Sequence, residues 1–157
     1  RGTKADVWEA GHRVPFFASW PGVIKPGSKC ARTTAHVDLF ATCAEIAGAT
    51  LPDNAAEDSF SWLPLFRGGD WAKLRPPVIN HSAGGMFALR NGKWKLVAGN
   101  GSGGREAPKG KPFAKPYRLF DLSSDLGERK DLAQAKPELV GRLTAQLEDI
   151  RIRGRSR

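Results

Sequence analysis

No apolar run in this sequence approaches the roughly 20 residues needed to cross a bilayer. Gly or Pro interrupts every candidate, which excludes a membrane-spanning helix and predicts a soluble protein with no membrane partner. Cysteine is scarce: Cys30 and Cys43 lie too far apart for a CxxC metal or redox pair, and two cysteines do not make a disulfide framework. The compartment therefore stays open on that evidence. No internal repeat is present, and no RNP, KH, zinc-finger or helix-turn-helix signature supports a nucleic-acid partner. The chain opens on Arg1 without an initiating Met or an apolar signal segment, and we read it as a mature or truncated piece of a longer polypeptide. Acidic residues are in deficit, 16 against 25 Lys and Arg, for a formal charge of +9. That balance favours anionic partners, although a solubilising surface accounts for it equally well. Much of the excess sits in the Gly/Lys/Pro stretch 99–116 and in the tail residues Arg151, Arg153, Arg155 and Arg157.

What the sequence does hold is material for a core: 40% of residues are hydrophobic and five are tryptophan, which argues against global disorder. "VPFFASW" at 14–20, closed by Pro21-Gly22, reads as a short buried strand. Over 34–48, Val37, Phe40, Ala44 and Ala47 recur at helical spacing, with Leu39, Cys43 and Ile46 widening the stripe; this predicts an amphipathic helix ending at Gly48. Breakers fill 49–71, so that segment reads as a loop with a helical turn near 62–66, a lobe boundary.

Three strand candidates follow at 77–81, 86–97 and 117–122. The second and third resemble a hairpin whose long connection, 99–116, is expected to be exposed, functional or mobile. Within "LRNGKWKLV" the residues alternate across a hairpin, with Trp94 expected in the core and Arg90, Lys93 and Lys95 expected exposed. Asp121, Ser123 and Asp125 imitate the start of an EF-hand, but the glycine falls one place late and Leu132 stands where the acid belongs, so an Asx-stabilised turn is expected. Pro137, then Leu139, Val140, Leu143, Leu147 and Ile150, predict a terminal amphipathic helix packed on a sheet face. The fold class is thus α/β followed by α+β: the end of an α/β sheet over 1–68, then a small antiparallel sheet packed by a C-terminal helix over 69–157.

The opening "KADVWEAGHRVPFFASWPG", followed by "HVDLFATCAEIAGATLP", "DSFSWLPLFRG", "HSAGGMFALRNGKWKLV" and "RLFDLSSDLGERKDLA", resembles the C-terminal part of the arylsulfatase-type sulfatases of the alkaline phosphatase superfamily. The succession covers nearly the whole chain. In that family an opening of the form K-G-T-T-W-E-G-G-x-R-x-P closes the catalytic sheet, and its lysine contacts the substrate sulfate. Lys4 falls on that lysine, with Trp8, Glu9, Gly11, Arg13 and Pro15 on other matching places, while Ala5 and Ala10 replace glycines. The physical reading agrees, because hydrolysing a sulfate ester calls for cations around the anionic group, and an ammonium is a compact charge able to meet its oxygens. Taken without the family, Lys4 is a solvated loop lysine.

Glu9 and Arg13 are expected to form a structural ion pair. His12 is a candidate substrate contact or proton donor, with capping of nearby backbone as its plainer role. His81, at the end of a strand entering a glycine turn, is a candidate substrate-side residue, since the resemblance places C-terminal loops beside the substrate entrance.

The resemblance also implies a formylglycine made from a C-x-P-x-R context and a Ca2+ held by Asp and Asn residues upstream of this chain. Neither motif occurs here, because Cys43 precedes "AEIAG" and Cys30 precedes "ARTTA". The segment alone is therefore expected to bind no metal and to be inactive. As part of its longer parent it is expected to act on a small-molecule or glycan sulfate ester, in a periplasmic or extracellular setting. Two rivals remain at this point: a stand-alone basic module binding polyanions such as sulfated glycans or nucleic acid, and a degenerate sulfatase encoded as it stands.

Overall fold

The computed structural model describes residues 1–69 and 75–157, which fall into two units: Arg1–Pro15 with Pro77–Ile152, and Phe16–Pro76 with Arg153–Arg157. The far end of the loop expected over 49–71 lies outside the described residues. Among the described residues no helix is long and apolar enough to cross a membrane.

The first unit is built on an antiparallel sheet of four strands in chain order: β1 (Val78–His81), β2 (Phe87–Asn91), β3 (Trp94–Ala98) and β4 (Arg118–Asp121). The segment 86–97 thus splits in two around Gly92 and Lys93, and Gly92 supplies the positive φ of 57° that so short a turn requires. β3 and β4 pair across the long connection, as the hairpin reading expected. Side chains alternate between faces with a period of two. Leu89, Leu96, Ala98 and Leu119 face a helix, α3 (Pro137–Arg153), whose Leu139, Leu143, Leu147 and Ile150 are buried against them. Each such side chain contributes about 1.5–3 kcal/mol on full burial.

Ala88, Val97 and Phe120 point the other way and, with Leu122 and Met86, cover Val7 and Trp8. Trp8 is held edge-on to Phe120, with the Arg1 guanidinium 3.7 Å above its ring. The opening segment is therefore the second cover of the sheet.

The Asx turn after β4 is present: Asp121 accepts hydrogen bonds from the Ser123 amide and hydroxyl, and Asp125 accepts from the amides of Arg129 and Lys130. The Lys93 hydrogen bond, then that of Ser123, pulls the Asp121 pKa down to about 2. The connection 99–116 is more ordered than expected. Ser102 is buried, accepts from the Val7 amide and takes a backbone bond to Pro108, while Gly99 forms a bridge with Pro112.

In the second unit, helix α1 (Asp38–Ile46) ends as expected at Gly48, whose φ is +72°. Its orientation reverses the expectation. The buried positions are Asp38, Ala41 and Thr42, whereas Val37, Leu39, Phe40 and Ile46 are exposed. Polar bonding explains why. Asp38 accepts hydrogen bonds from the amides of Ala35 and Phe60, the Trp62 indole and the Arg75 guanidinium, and Thr42 bridges the Asp38 carbonyl to the Trp62 amide. These bonds fix the polar face inward beside α2 (Leu63–Phe66), the helical turn expected near 62–66.

Residues 14–20 form no strand, and Phe17 is 92% exposed; among the described residues of the unit that holds 16–20, none forms a strand that would offer a ladder to pair with. The basic tail is bonded back onto its unit: the amides of Ser156 and Arg157 donate to the Glu57 carbonyl, and the Arg157 guanidinium donates to the Pro52 carbonyl.

Candidate functional site

Residues 3–13 turn sharply over the sheet face that Val7 and Trp8 cover, and two buried carboxylates set their shape. Asp6 accepts hydrogen bonds from the amides of Thr3 (2.8 Å), Arg105 (2.6 Å) and Glu106 (3.1 Å). Burial alone raises the Asp6 pKa, but these amides and the Arg105 charge outweigh it and leave the carboxyl below its ordinary range. Gly11 closes the same turn, since a Cβ there would collide with the carbonyl oxygens of Asp6 and Thr3. The two alanines that replace family glycines differ in consequence. Ala5 sits at φ +85°, in the region that favours glycine, whereas Ala10 has no positive φ.

Glu9, in a short 3-10 turn (Glu9–Gly11), is the second anchor. Its carboxylate lies 2.7 Å from Arg90, 3.4 Å from Lys95 and 3.7 Å from Arg13, and its amide donates to Glu128 at 2.7 Å. The expected Glu9–Arg13 pair is therefore the outermost of several. Lys95, expected exposed, is only 1% exposed and sits 2.9 Å from Glu128 Oε1, an ion pair lacking hydrogen-bond geometry. Strand parity explains the correction. Arg90 and Lys95 are direct cross-strand partners on the Trp8 face, and two like charges so placed repel unless acids intervene. Glu9 and Glu128 are those acids.

Lys4 is exposed, and among the described residues its ammonium has no hydrogen bond or ion pair. His12 is half-buried. Its ring is bonded to the Asp6 backbone while Nε2 is buried without a partner. Burial first, then the Lys95 charge, lowers its pKa, with Glu9 opposing; the His81 charge lowers it further, which places the two histidines within electrostatic reach. His81 is exposed at the end of β1, with Nδ1 3.0 Å from the Ser82 carbonyl oxygen and its ring beside Phe87. The structure thus leaves Lys4 as a free cation on an anchored loop, with His12 on the same loop and His81 at the end of β1.

One feature beside them escaped the sequence reading. The loops 3–6, 82–85 and 99–112 are stitched by backbone bonds from Ala83 to Ala5, Gly84 to Gly103 and Gly103 to Lys109. They border an open, shallow cleft of about 600 Å³ lined by small residues and by Arg105 and Lys109. The glycine-rich, basic composition of 99–116 was its only signal in the sequence.

The Sulfatase family model matches residues 1–49. The chain is similar to the N-acetylgalactosamine-6-O-sulfatase of Bacteroides thetaiotaomicron, with 31% identity over 98% of this chain and 30% of the relative. It is also similar to human arylsulfatase A, with 32% identity over 87% of this chain and 30% of that protein. A solved Bacteroides thetaiotaomicron structure, described with the metabolism of multiple glycosaminoglycans, superposes with a TM-score of 0.80 at 30% identity, covering 96% of this chain and 31% of the other. The chain therefore spans less than a third of the length of these relatives, and its small antiparallel sheet with a closing helix matches the C-terminal part of that fold.

Proposed function

This chain belongs to the sulfatase family, and from that premise we propose that it is the C-terminal portion of a sulfate ester hydrolase in which Lys4 holds the substrate sulfate. The observation that carries the reading is the contrast along 3–13. Asp6 and Glu9 are committed to partners that fix the loop, while the ammonium of Lys4 is unpaired on it. A cation held in place before the substrate arrives stabilises negative charge as it grows on the sulfate and bridging oxygens, with little reorganisation at the moment of reaction. His81 and the unpartnered Nε2 of His12 are the substrate-side groups in this reading.

Among the described residues no three His, Cys, Asp or Glu side chains converge as a metal site. The described residues therefore do not fit a calcium ion. The reading assigns calcium and the formylglycine to chain upstream of Arg1, and the portion alone is inactive. Support for such a partner comes from the second unit, where Phe16, Phe17, Val37, Leu39, Phe40 and Ile46 are exposed apolar side chains of the kind an adjoining domain covers. A periplasmic or extracellular location follows from the family alone. The rival of a stand-alone polyanion-binding module loses part of its basis, because the basic tail is bonded back onto residues 52–58.

The test is Lys4→Ala in the full-length enzyme on an aryl sulfate. Removing one such donor lowers kcat by roughly 100- to 1,000-fold, and Lys4→Arg restores part of it. Unchanged turnover in Lys4→Ala removes Lys4 from the site.

A further inference from the structure

We propose that Asp6 is a positioning residue for the reaction: its carboxylate clasps the turn that carries Lys4 and ties it to the loop 102–106, so that a segment 99 residues further along the chain aims the ammonium. The inference rests on the reading of Lys4 as the cation that holds the sulfate, and it assigns that cation a support that is itself buried.

Lys4 stands at the second place of a four-residue turn. The Asp6 amide donates to the Thr3 carbonyl at 3.0 Å, and Asp6 Oδ2 accepts from the Thr3 amide at 2.8 Å, so the two ends of the turn are bonded twice. Ala5, at the third place, has a φ of +85°, the sign that a type II turn requires there and that an L side chain disfavours. A turn strained in this way needs its ends held, and Asp6 holds them.

The other carboxylate oxygen fixes the turn against its neighbour. Asp6 Oδ1 accepts from the consecutive amides of Arg105 at 2.6 Å and Glu106 at 3.1 Å. Ser102 shapes the crook that presents them. Its hydroxyl donates to the Glu106 carbonyl and accepts from the Gly104 amide, and its own carbonyl accepts from the Val7 amide. The contact leaves no slack, since a Cβ at Gly104 would strike the Ala5 carbonyl and the Asp6 carboxylate. Asp6 and Ser102 are both 0% exposed, so solvent does not compete for these bonds.

Among side chains of this size only a carboxylate serves. Three amides donate to its two oxygens, whereas an amide side chain offers one oxygen and one NH2. In Asp6→Asn, keeping both bonds to loop 102–106 turns the NH2 onto the Thr3 amide, donor against donor. The substitution is nearly isosteric, yet it unfastens the turn.

The experiment measures aryl sulfate turnover and hydrogen exchange on the full-length enzyme. Asp6→Asn should lower kcat by about 10- to 100-fold, the upper figure being the cost of misplacing a reacting group by about 1 Å. KM should change by less than about threefold, because the interaction lost is one made in the transition state. In a Lys4→Ala background the same substitution should cost less than about twofold, since Asp6 acts through the ammonium. A residue that merely stabilises the fold would slow both backgrounds alike. Deuterium uptake by the peptide 1–8, read by mass spectrometry, should be about tenfold faster in Asp6→Asn than in the wild type. Should Asp6→Asn fail to fold, Ser102→Ala, which loosens the crook and keeps the backbone bond to Val7, should give the same pattern with a loss of about threefold. Turnover within about twofold of wild type while Lys4→Ala is slow, an equal loss in both backgrounds, or unchanged uptake overturns the inference. Should Lys4→Ala keep full turnover, the sulfate-holding reading falls; the clasp then stands on faster uptake and falls without it.

Discussion

Replacing Lys95 by methionine keeps most of the side-chain volume and deletes one charge from the interior of the sheet. The two acids it serves fare differently. Glu9 keeps Arg90 at 2.7 Å and Arg13 at 3.7 Å. Glu128 is left with the Glu9 amide alone, 2.7 Å from Oε2, while Oε1 has no other partner. Because the Glu128 side chain is 0% exposed and that of Lys95 1%, solvent does not screen the loss. Orphaning one partner of a buried pair costs about 3–5 kcal/mol, a large part of a typical domain's 5–15 kcal/mol. Urea unfolding of Lys95→Met at pH 7 should show that deficit as a fall in midpoint at unchanged slope.

A second variant separates charge from packing. Adding Glu128→Gln removes the orphaned charge at pH 7, so the double variant should recover at least about half of the loss, as coupling between contacting residues requires. A Lys95→Met protein within about 1 kcal/mol of wild type at pH 7, below the range for a broken buried pair, would refute the claim that this network fixes the loop. So would a deficit indifferent to Glu128→Gln.

Two other substitutions probe the same segment. Ala5→Gly relieves a positive φ at no loss of a bond, since the Ala5 carbonyl still accepts from Ala83. It should raise stability by about 1 kcal/mol, and a lower melting temperature would contradict the strain argument. His12 has a pKa below the ordinary imidazole value, first because of burial and then because of Lys95. The unfolded chain thus binds the proton more readily, so the contribution of His12 is present above pH 6.5 and declines as the pH falls from there through its lower folded value. A His12→Gln variant should show a flatter stability profile across that window, and an identical slope would count against the assignment.

The parts of the fold that were legible in the sequence are those whose partners lie close by. Leu139, Leu143, Leu147 and Ile150 mark a helix stripe that does face a sheet, and the Gly92 turn joins strands that are neighbours in the chain. The reading of α1 failed for a physical reason. Its apolar stripe is real, but within its own unit the helix is held by side-chain bonds of Asp38, Ser59 and Thr42 that span 18 to 37 positions of the chain. Segment 14–20 has the composition of a strand and lacks a ladder. Lys95 was half legible: alternation with Val97 puts it on the Trp8 face, but nothing local announces that Glu9 and Glu128 arrive beside it. The cleft was the least legible element, because it arises from backbone bonds among three loops far apart in sequence.

The distances along the chain at which the Lys4 loop is tied have a bearing on its biosynthesis. Its two anchors reach Arg105 and Glu128, which follow Asp6 and Glu9 by 99 and 119 residues. At roughly 5–20 residues per second, a ribosome leaves the loop without its second tether for about 6–24 s after Glu9 is made. The loop that carries the ammonium therefore acquires its fixed shape only after Glu128 has been made, and a nascent chain stalled before that residue would carry the cation on an unfastened strand.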